Sequence, residues 1–469
     1  MPAETDEIVD VCIVGAGMAG LVVAAETAAA GLRTVVVDAS DRVGGMLAPV
    51  MIAGGAGVGA AGGQVAADAG AESFATRTTG VTDLIDRWQL PVTVTAPNPA
   101  GAWLVAGGDS GIRRAPLPRQ SVLGIPADPS AADILALVPP RAEQVLPVPA
   151  EEPSLYDLVA TRLGDDLASA VVDTVCRGVY SRSARDLKLS VVHPQLWQRF
   201  MQTGALTDAV AELAAGPRPG SAVAGIVGGM WRLPVELAAR ARAAGATILL
   251  DTPVRRIHGA ESTRESVGHG ARDEVLSVDA GSTAIRSRTV VIATGRDEAL
   301  RLLGEHSDGD ETPVELAIAL VRSPGLDAHP VGTGALIADA APIGAKALTH
   351  ANAKWQWLDE KLEPHHHVVR LSARDGVTGA FDEASVAAAI SAVTGVSVAP
   401  QDVRELHVRR WDASSSSSTT PVIAADPRLH LAGAAVAGTG LASVVPHARE
   451  LAATLIHAFA APSLASTAS

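Results

Sequence analysis

The residues best placed to do chemistry lie near the start of the chain, in a glycine-rich turn and in an acid that follows it. The turn is Gly15-Ala16-Gly17-Met18-Ala19-Gly20, and the acid is Asp38. Glycines at this spacing permit a tight turn and let the backbone approach a pyrophosphate, while an acid about 20 residues further on can bind a ribose hydroxyl. The pattern predicts a dinucleotide site. The alternative is a structural glycine turn followed by a solvated aspartate.

The elements around this turn have the order that such a site requires. Residues 8–14 form an apolar run rich in β-branched side chains, which is typical of a buried parallel strand. An alanine-rich helix to about Ala30 follows, then Gly31 and a second strand at 34–38. The sequence therefore predicts a β-α-β unit, in which the helix N-terminus offers free N–H groups and a partial positive charge to an anion.

Composition limits the class of protein. The chain has 469 residues, of which 48% are apolar and 19% charged, so two or three folded domains are expected. A net charge of −14 gives no electrostatic footprint for nucleic acid. Two cysteines, with Cys12 inside an apolar strand, indicate a reducing compartment rather than a disulfide framework. Without a signal-peptide pattern or a long apolar run, we expect a cytoplasmic protein with no transmembrane segment.

A second motif follows the ribose-binding acid. The segment Asp41-Arg42-Val43-Gly44-Gly45 resembles the Arg-x-Gly-Gly signature of the amine oxidase and protoporphyrinogen oxidase superfamily. In that superfamily the signature lies along the phosphates of FAD, and enzymes that use NAD do not usually carry it. The resemblance therefore implies FAD as the cofactor.

Further segments resemble later flavin motifs of the same superfamily. Asp68–Phe74 is similar to the second flavin-side motif, and Leu431–Leu441 to the closing motif at the flavin ring. Val254 lies where the family uses backbone to hold the adenine, and Ala293-Thr294-Gly295 resembles a second glycine turn. The resemblance implies FAD contacts drawn from all of these motifs: Gly15, Ala16, Gly17, Met18, Ala19, Gly20, Asp38, Ala39, Arg42, Gly44, Gly45, Met46, Ala69, Gly70, Ala71, Glu72, Val254, Ala293, Trp411, Gly433, Thr439, Gly440 and Leu441.

The order of further elements narrows the resemblance. Residues 154–190 are similar to a helical stretch of bacterial porphyrinogen oxidases. Gly228-Gly229-Met230, Lys354-Trp355 and Arg410-Trp411 resemble other elements of those enzymes, in the same order. From about residue 8 to about residue 458, the chain resembles the Gram-positive coproporphyrinogen oxidases, which are also described as protoporphyrinogen oxidases.

This resemblance implies a fold and a division into domains. The expected fold class is α/β, a two-dinucleotide-binding-domain flavoprotein with a Rossmann-like FAD domain. The FAD domain is assigned to residues 1–90, 220–300 and 408–469. An inserted α/β substrate domain is assigned to residues 91–115 and 301–407, and a helical domain to residues 116–219.

The resemblance also implies an activity. The family oxidises coproporphyrinogen III to coproporphyrin III in haem biosynthesis, removing six electrons, and dioxygen becomes hydrogen peroxide. The flavin carries the chemistry, so no catalytic side chain is assigned. Arg77, Gly178 and Lys354 are the candidate substrate contacts, with the two cations facing propionates. Contact with a membrane surface or a ferrochelatase is left open.

Other functions stay open. The substrate could be protoporphyrinogen IX, the activity could be that of another amine-oxidase-like enzyme, or the chain could bind FAD or porphyrin without catalysis. Two Tyr and four Phe are few for the aromatic pairs that line amine oxidase sites. Met46, Val422, Val436 and the glycine-rich segment 54–63, which we interpret as an inserted loop, depart from the family pattern.

The adjacent histidines His365, His366 and His367 raise the question of a metal site. Three consecutive residues on a strand cannot all face one ion, and no acid or cysteine cluster accompanies them. We therefore predict a solvated loop here and no metal.

Overall fold

The computed structural model describes residues 3–4, 7–55, 63–108, 111–180, 182–214, 223–259, 275–306, 312–413 and 422–460. Its strands are β1 (Ala3–Glu4), β2 (Val9–Val14), β3 (Thr34–Val37), β4 (Pro49–Gly55), β5 (Gly63–Asp68), β6 (Phe74–Ala75), β7 (Val94–Thr95), β8 (Trp103–Gly108), β9 (Gly111–Pro116), β10 (Ser121–Val122), β11 (Ile125–Pro126), β12 (Val223–Ile226), β13 (Thr247–Leu249), β14 (Val254–Gly259), β15 (Leu276–Ala280), β16 (Thr283–Ile292), β17 (Thr312–Arg322), β18 (Gly334–Ile337), β19 (Ala345–His350), β20 (His366–Ala373), β21 (Val403–Ala413) and β22 (Leu429–Leu431). Its α-helices are α1 (Met18–Ala29), α2 (Gly80–Trp88), α3 (Ala132–Leu135), α4 (Leu155–Leu163), α5 (Asp165–Leu167), α6 (Thr174–Tyr180), α7 (Leu189–Val192), α8 (Pro194–Thr203), α9 (Leu206–Leu213), α10 (Arg232–Ala243), α11 (Arg296–Leu303), α12 (Ala351–Lys354), α13 (Gln356–Asp359), α14 (Glu383–Thr394), α15 (Ala434–Ala437) and α16 (Leu441–Ala460).

The first sheet is built from strands that are far apart in the sequence. Its order is β13-β3-β2-β16-β15-β14, and β1 and β22 also pair with β16. The pairs β2–β3, β3–β13 and β2–β16 are parallel, whereas β14, β15 and β16 pair antiparallel. The carboxyl ends of β2 and β3 therefore meet at one edge, as in other nucleotide-binding sheets, and the Gly15–Gly20 turn and Asp38 follow these ends directly.

The β-α-β unit predicted from the sequence is confirmed. Strand β2 is buried over most of its length because one face packs against helices such as α1 and α16, and the other against residues of β14, β15 and α11. Helix α1 is rich in alanine, and these small side chains let α16 from the end of the chain pack closely against it in one core. Gly31 has a φ of +85°, which lets the chain turn out of α1 toward β3.

The second sheet contains the middle of the chain. Its order is β21-β17-β20-β19-β18-β8-β9, and the pairs are antiparallel except for β18 with β8. One face packs against α14 through residues such as Val369 and Leu371. The other face packs against the β4–β5 hairpin, with Ile52 and Val65 touching the core around Ile318.

The glycine-rich segment 54–63 lies only partly within the described residues. Gly54 and Gly55 end β4, and Gly63 begins β5, so the prediction of a loop is wrong at these three positions. The two strands pair antiparallel as far as Gly55 and Gly63, which carries the ladder into the glycine run. Residues 56–62 lie outside the described residues, as do the serine run at 414–418 and the tail after Ala460.

A bundle of short helices from α3 to α9 packs on one end of the second sheet. The helical stretch expected at 154–190 is confirmed for its described part, which contains α4, α5 and α6 and the start of α7. Helix α5 continues through a π-helical turn, Ala168–Asp173, into α6. The core of the bundle reaches Leu104 of β8 and Ala115 of β9. The exact division into three domains stays a prediction.

The three adjacent histidines do not form a solvated loop. His365 is exposed, but His366 and His367 begin β20, and His367 is 3% exposed. The loop prediction is wrong because β20 pairs with β17 as far as His366, which draws these residues into the sheet.

Within the described ranges, every helix falls short of the length or the hydropathy that crossing a membrane would require.

Candidate functional site

Two glycines of the N-terminal turn are required by close packing. Gly15 has a φ of +110°, and a Cβ atom there would lie 2.7 Å from the carbonyl oxygen of Ala293. A Cβ atom on Gly20 would overlap the carbonyl oxygen of Gly15. Bare backbone at these positions lets α1 begin against the ends of β2 and β16, which brings Ala293 to the predicted site.

Gly17 is different, because no described residue occupies the space above it. A Cβ atom at Gly17 would meet no heavy atom within 4 Å, and its φ of −71° is accessible to any residue. The space lies at the N-terminus of α1, which has no side-chain cap among the described residues and whose first-turn N–H groups have no partner within the helix. A Cβ at nearby Gly45 would meet only the Cα of Gly17, at 3.5 Å. This open cradle beside a helix N-terminus fits a pyrophosphate group.

Asp38 stands at the same edge of the sheet. One oxygen of its carboxylate accepts a hydrogen bond from the Ala16 N–H at 2.6 Å, and the other accepts from the Ser40 N–H at 2.8 Å. A carboxylate offers about four acceptor positions. Asp38 can therefore hold the glycine turn and still accept a ribose hydroxyl. Ala39 is exposed beside it.

The Arg42–Met46 segment is tied to the glycine turn. The Gly44 N–H donates to the carbonyl of Ala16 at 2.9 Å, and the Arg42 guanidinium donates to the carbonyl of Gly45 at 2.9 Å. The side chain of Met46 points outward and is 45% exposed. These contacts place the Arg-x-Gly-Gly segment along the open cradle at Gly17.

The Ala69–Glu72 segment lies directly behind Met46. A Cβ atom on Gly70 would overlap the Met46 carbonyl oxygen, so only glycine permits this approach. Ala69 donates its N–H to the carbonyl of Ala48 at 2.8 Å and accepts a hydrogen bond from the indole of Trp411 at 3.0 Å. Trp411, which belongs to β21 of the second sheet, thus holds the Ala69–Glu72 segment in place through this hydrogen bond.

A buried charge cluster anchors the end of the same segment. One Glu72 carboxylate oxygen is 2.6 Å from the Lys354 ammonium, and the other is 2.7 Å from the Arg370 guanidinium. Arg370 also donates to the carbonyl of Gly70. Burial alone would raise the pKa of Glu72, but Lys354 and Arg370 lower it to about 2. The cluster therefore links the second sheet to the predicted flavin-side segment.

Two residues of this region were not among the predicted site residues. Arg370 lies in the apolar strand β20, and a charge within such a run was the only sequence signal for it. Asp68 is buried, and its carboxylate accepts from the Met230 N–H at 3.0 Å and the Trp231 N–H at 3.2 Å. Burial raises the pKa of Asp68 to about 6. Asp68 thus joins the Gly-Gly-Met element to the segment that precedes Gly70.

The closing segment comes to the opposite side of the glycine turn. Gly433 has a φ of +87°, and a Cβ there would lie 3.3 Å from the Cβ of Ala19. Thr439 and Gly440 are exposed, and Leu441 starts α16, whose first-turn N–H groups have no partner within the helix. Val436 is exposed at 37%.

The predicted adenine contact lies close to Asp38 in space. Val254 begins β14 and is buried, and nearby Thr252 donates its N–H to the carbonyl of Asp38 at 2.7 Å. The Val254 carbonyl already accepts a hydrogen bond from the Arg301 guanidinium at 2.8 Å.

The three candidate substrate residues are not equivalent. Arg77 is exposed and makes no ion pair with another described residue; its neighbour Thr78 contacts the first turn of α16 through the Ala442 carbonyl at 3.4 Å. Lys354 is already paired with Glu72. Gly178 of α6 packs on β18, where a Cβ atom would lie 2.7 Å from the Leu336 side chain.

Comparison with known proteins agrees with this geometry. The chain is 29% identical over 440 residues to the coproporphyrinogen III oxidase of Mycobacterium tuberculosis, covering 85% of each chain. It is 26% identical over 267 residues to human protoporphyrinogen oxidase, covering 52% of this chain and 53% of the human one.

Solved structures share the fold. One from Exiguobacterium sp. 255-15, described as a candidate protoporphyrinogen oxidase, has a TM-score of 0.72 at 18% identity and covers 97% of this chain and 100% of its own. Cyclohexylamine oxidase from Brevibacterium oxydans has a TM-score of 0.56 at 15% identity, with 97% and 100% covered.

A family model described as flavin containing amine oxidoreductase matches residues 18–316, which is more than half of the chain. The predicted fold class and the predicted cofactor, FAD, are thereby confirmed. The chain belongs to the flavin containing amine oxidoreductase family.

Proposed function

We propose that this chain is an oxygen-dependent FAD oxidase that converts coproporphyrinogen III to coproporphyrin III. The observation that carries the proposal is the similarity to the mycobacterial coproporphyrinogen III oxidases, which extends over 85% of this chain and 85–86% of theirs. Similarity to protoporphyrinogen oxidase covers only about half of this chain, at 52%. The longer match supports coproporphyrinogen as the substrate.

The overall reaction balances with dioxygen as the oxidant. Three two-electron oxidations remove six hydrogens from the macrocycle, and three dioxygen molecules become three hydrogen peroxide molecules. Bound FAD supplies the redox chemistry by accepting each electron pair and passing it to dioxygen. What remains for the protein is to hold the cofactor, orient the macrocycle and bind its carboxylates.

The residues of this chain have distinct roles in the proposal. The open cradle at Gly17, with Asp38 and the Arg42–Gly45 segment, would hold the pyrophosphate and ribose of FAD. Trp411 and Arg370 keep the Ala69–Glu72 segment in place beside it. Free N–H groups at the start of α16 would stabilise negative charge on the reduced cofactor.

Arg77 is expected to bind a substrate propionate. Its exposed guanidinium has no carboxylate partner among the described residues, so it is available for bidentate binding of a carboxylate. In Arg77→Gln we expect the KM for coproporphyrinogen III to rise about tenfold with little change in kcat, because one charge-assisted hydrogen-bonded contact is lost. Arg404→Gln, an exposed site at the start of β21, serves as the control. An unchanged KM in Arg77→Gln would remove Arg77 from the substrate site.

The function itself is tested by turnover. The purified FAD-loaded protein is mixed in air with freshly reduced coproporphyrinogen III or protoporphyrinogen IX, and porphyrin fluorescence and peroxide are followed. We expect faster turnover of coproporphyrinogen III, with about three peroxide molecules per porphyrin formed. Faster turnover of protoporphyrinogen IX would assign protoporphyrinogen IX, rather than coproporphyrinogen III, as the substrate. No turnover of either substrate, with flavin bound, would contradict the proposal and favour another amine-oxidase-like activity.

A further inference from the structure

Three histidines from separate segments converge at one end of the second sheet. His329 lies in the loop after the 3₁₀ turn Pro324–Leu326, His350 ends β19 and His367 is the second residue of β20. One ring nitrogen from each lies within 4.8 Å of those of the other two. His350 and His367 are buried, while His329 is half-buried, so the cluster is reached from the surface on the loop side.

Hydrogen bonds orient the ring of His367. Its Nε2 atom lies 3.1 Å from the carbonyl oxygen of Ser323 and 3.1 Å from the carboxylate of Asp327. Both partners are acceptors, so Nε2 carries the proton and donates it. His367 Nδ1 is therefore an acceptor that points into the cluster, where it accepts a hydrogen bond from His350 Nε2 at 3.0 Å and lies 3.5 Å from the amide nitrogen of Asn352. A histidine whose other N–H is held by a carboxylate is the usual arrangement of a metal ligand.

We propose that His329, His350 and His367 form a binding site for a divalent transition-metal ion, with Zn²⁺ favoured by the all-imidazole donor set. The 3.0 Å between His367 Nδ1 and His350 Nε2 is close to the roughly 3.3 Å expected between two nitrogen ligands of a tetrahedral zinc ion. His350 binds as its Nδ1–H tautomer, so neither ring loses a net proton. Solvent takes the fourth position, and Asp327 orients His367 from outside the coordination sphere.

The site is separate from the FAD elements. His367 lies on the same face of β20 as Val369 and Leu371, which pack toward α14. Arg370, which contacts Gly70, lies on the opposite face. The metal would tie the loop that carries His329 to β19 and β20, and this role does not depend on the proposed oxidase function.

The test is zinc binding by the full FAD-loaded protein. After dialysis against a chelator and then metal-free buffer, Zn²⁺ is titrated in by calorimetry, and bound metal is counted by mass spectrometry. We expect one tightly bound zinc per chain. His329→Gln should weaken binding at least about 100-fold, and Asp327→Asn about 10- to 100-fold.

A matched control separates the cluster from histidines in general. His457→Gln removes an exposed histidine of α16 and should leave zinc binding unchanged. Flavin absorbance reports whether each variant is folded. If His329→Gln loses its flavin, the zinc affinity of Asp327→Asn, a substitution at an exposed position, becomes the deciding measurement. Absence of tight zinc binding in the wild type, or equal affinity in the wild type and both cluster variants, would overturn the proposal.

Discussion

Replacing Gly17 with valine is expected to abolish FAD binding while the apoprotein stays folded. A Cβ atom at Gly17 meets no atom of a described residue within 4 Å, and its φ of −71° and ψ of 179° suit any residue. The fold should lose no more than about 1 kcal/mol, from a poorer residue at the start of α1. The new side chain would nevertheless fill the space where a pyrophosphate must approach the backbone. In a flavin fluorescence titration of the apoprotein, we expect the Kd for FAD to rise at least about 100-fold.

Two other glycines make this prediction specific. Gly344→Val adds the same side chain at an exposed position with equally open surroundings, and FAD binding should not change. Gly20→Ala forces a Cβ into the Gly15 carbonyl, so it should lower both the stability and the FAD affinity. If the Kd of Gly17→Val for FAD lies within about threefold of the wild-type value, the open space at α1 does not hold the pyrophosphate.

Removing the charge of Glu72 is expected to cause the largest loss of stability. In Glu72→Gln, the ammonium of Lys354 and the guanidinium of Arg370 would both remain in a largely buried position without their carboxylate. Breaking a buried ion pair from one side typically costs about 3–5 kcal/mol. Urea denaturation should therefore show a loss of that size. Because Glu72 follows the Gly70 segment, bound FAD should also be released at lower urea.

The effect should depend on pH in a defined direction. The pKa of Glu72 is about 2 in the folded protein, below its usual value of 4.5. Its stabilising contribution is therefore complete above pH 4.5 and is lost as the pH falls from 4.5 toward 2. The stability difference between wild type and Glu72→Gln should be constant near neutral pH and shrink below pH 4.5. Glu450→Gln, at an exposed position of α16, should have the same stability as the wild type across this pH range. A difference that grows on acidification would contradict this account.

Short-range sequence patterns were sufficient to predict the glycine turn and the acid that follows it. The spacing of Gly15, Gly17 and Gly20 and the position of Asp38 depend only on one strand, one turn and one helix, so the local sequence already specified them. The structure adds a reason for each glycine. Gly15 and Gly20 are required by packing, whereas Gly17 leaves open space.

Long-range contacts decided which residues hold the Ala69–Glu72 segment. Arg370 donates a hydrogen bond to Gly70, which is 300 residues away in the sequence, and Lys354 donates one to Glu72, which is 282 residues away. No local pattern states which buried carboxylate a cation will meet, because that depends on how β20 and α12 pack against the Ala69–Glu72 segment. Whether Lys354 also contacts substrate stays a prediction.

The sequence by itself determined the β-α-β unit, because apolar periodicity and glycine spacing act over short stretches. Its later motifs implied FAD and the family through their resemblance to known flavoproteins. Only the tertiary structure decided the histidine cluster. From the sequence, the adjacent histidines predicted a solvated loop without a metal. In the structure, alternation along β20 turns successive side chains to opposite faces, and strand pairing brings His350 rather than His366 to His367. Which side chains share a face across a sheet depends on register and strand order, and neither is encoded by any single segment.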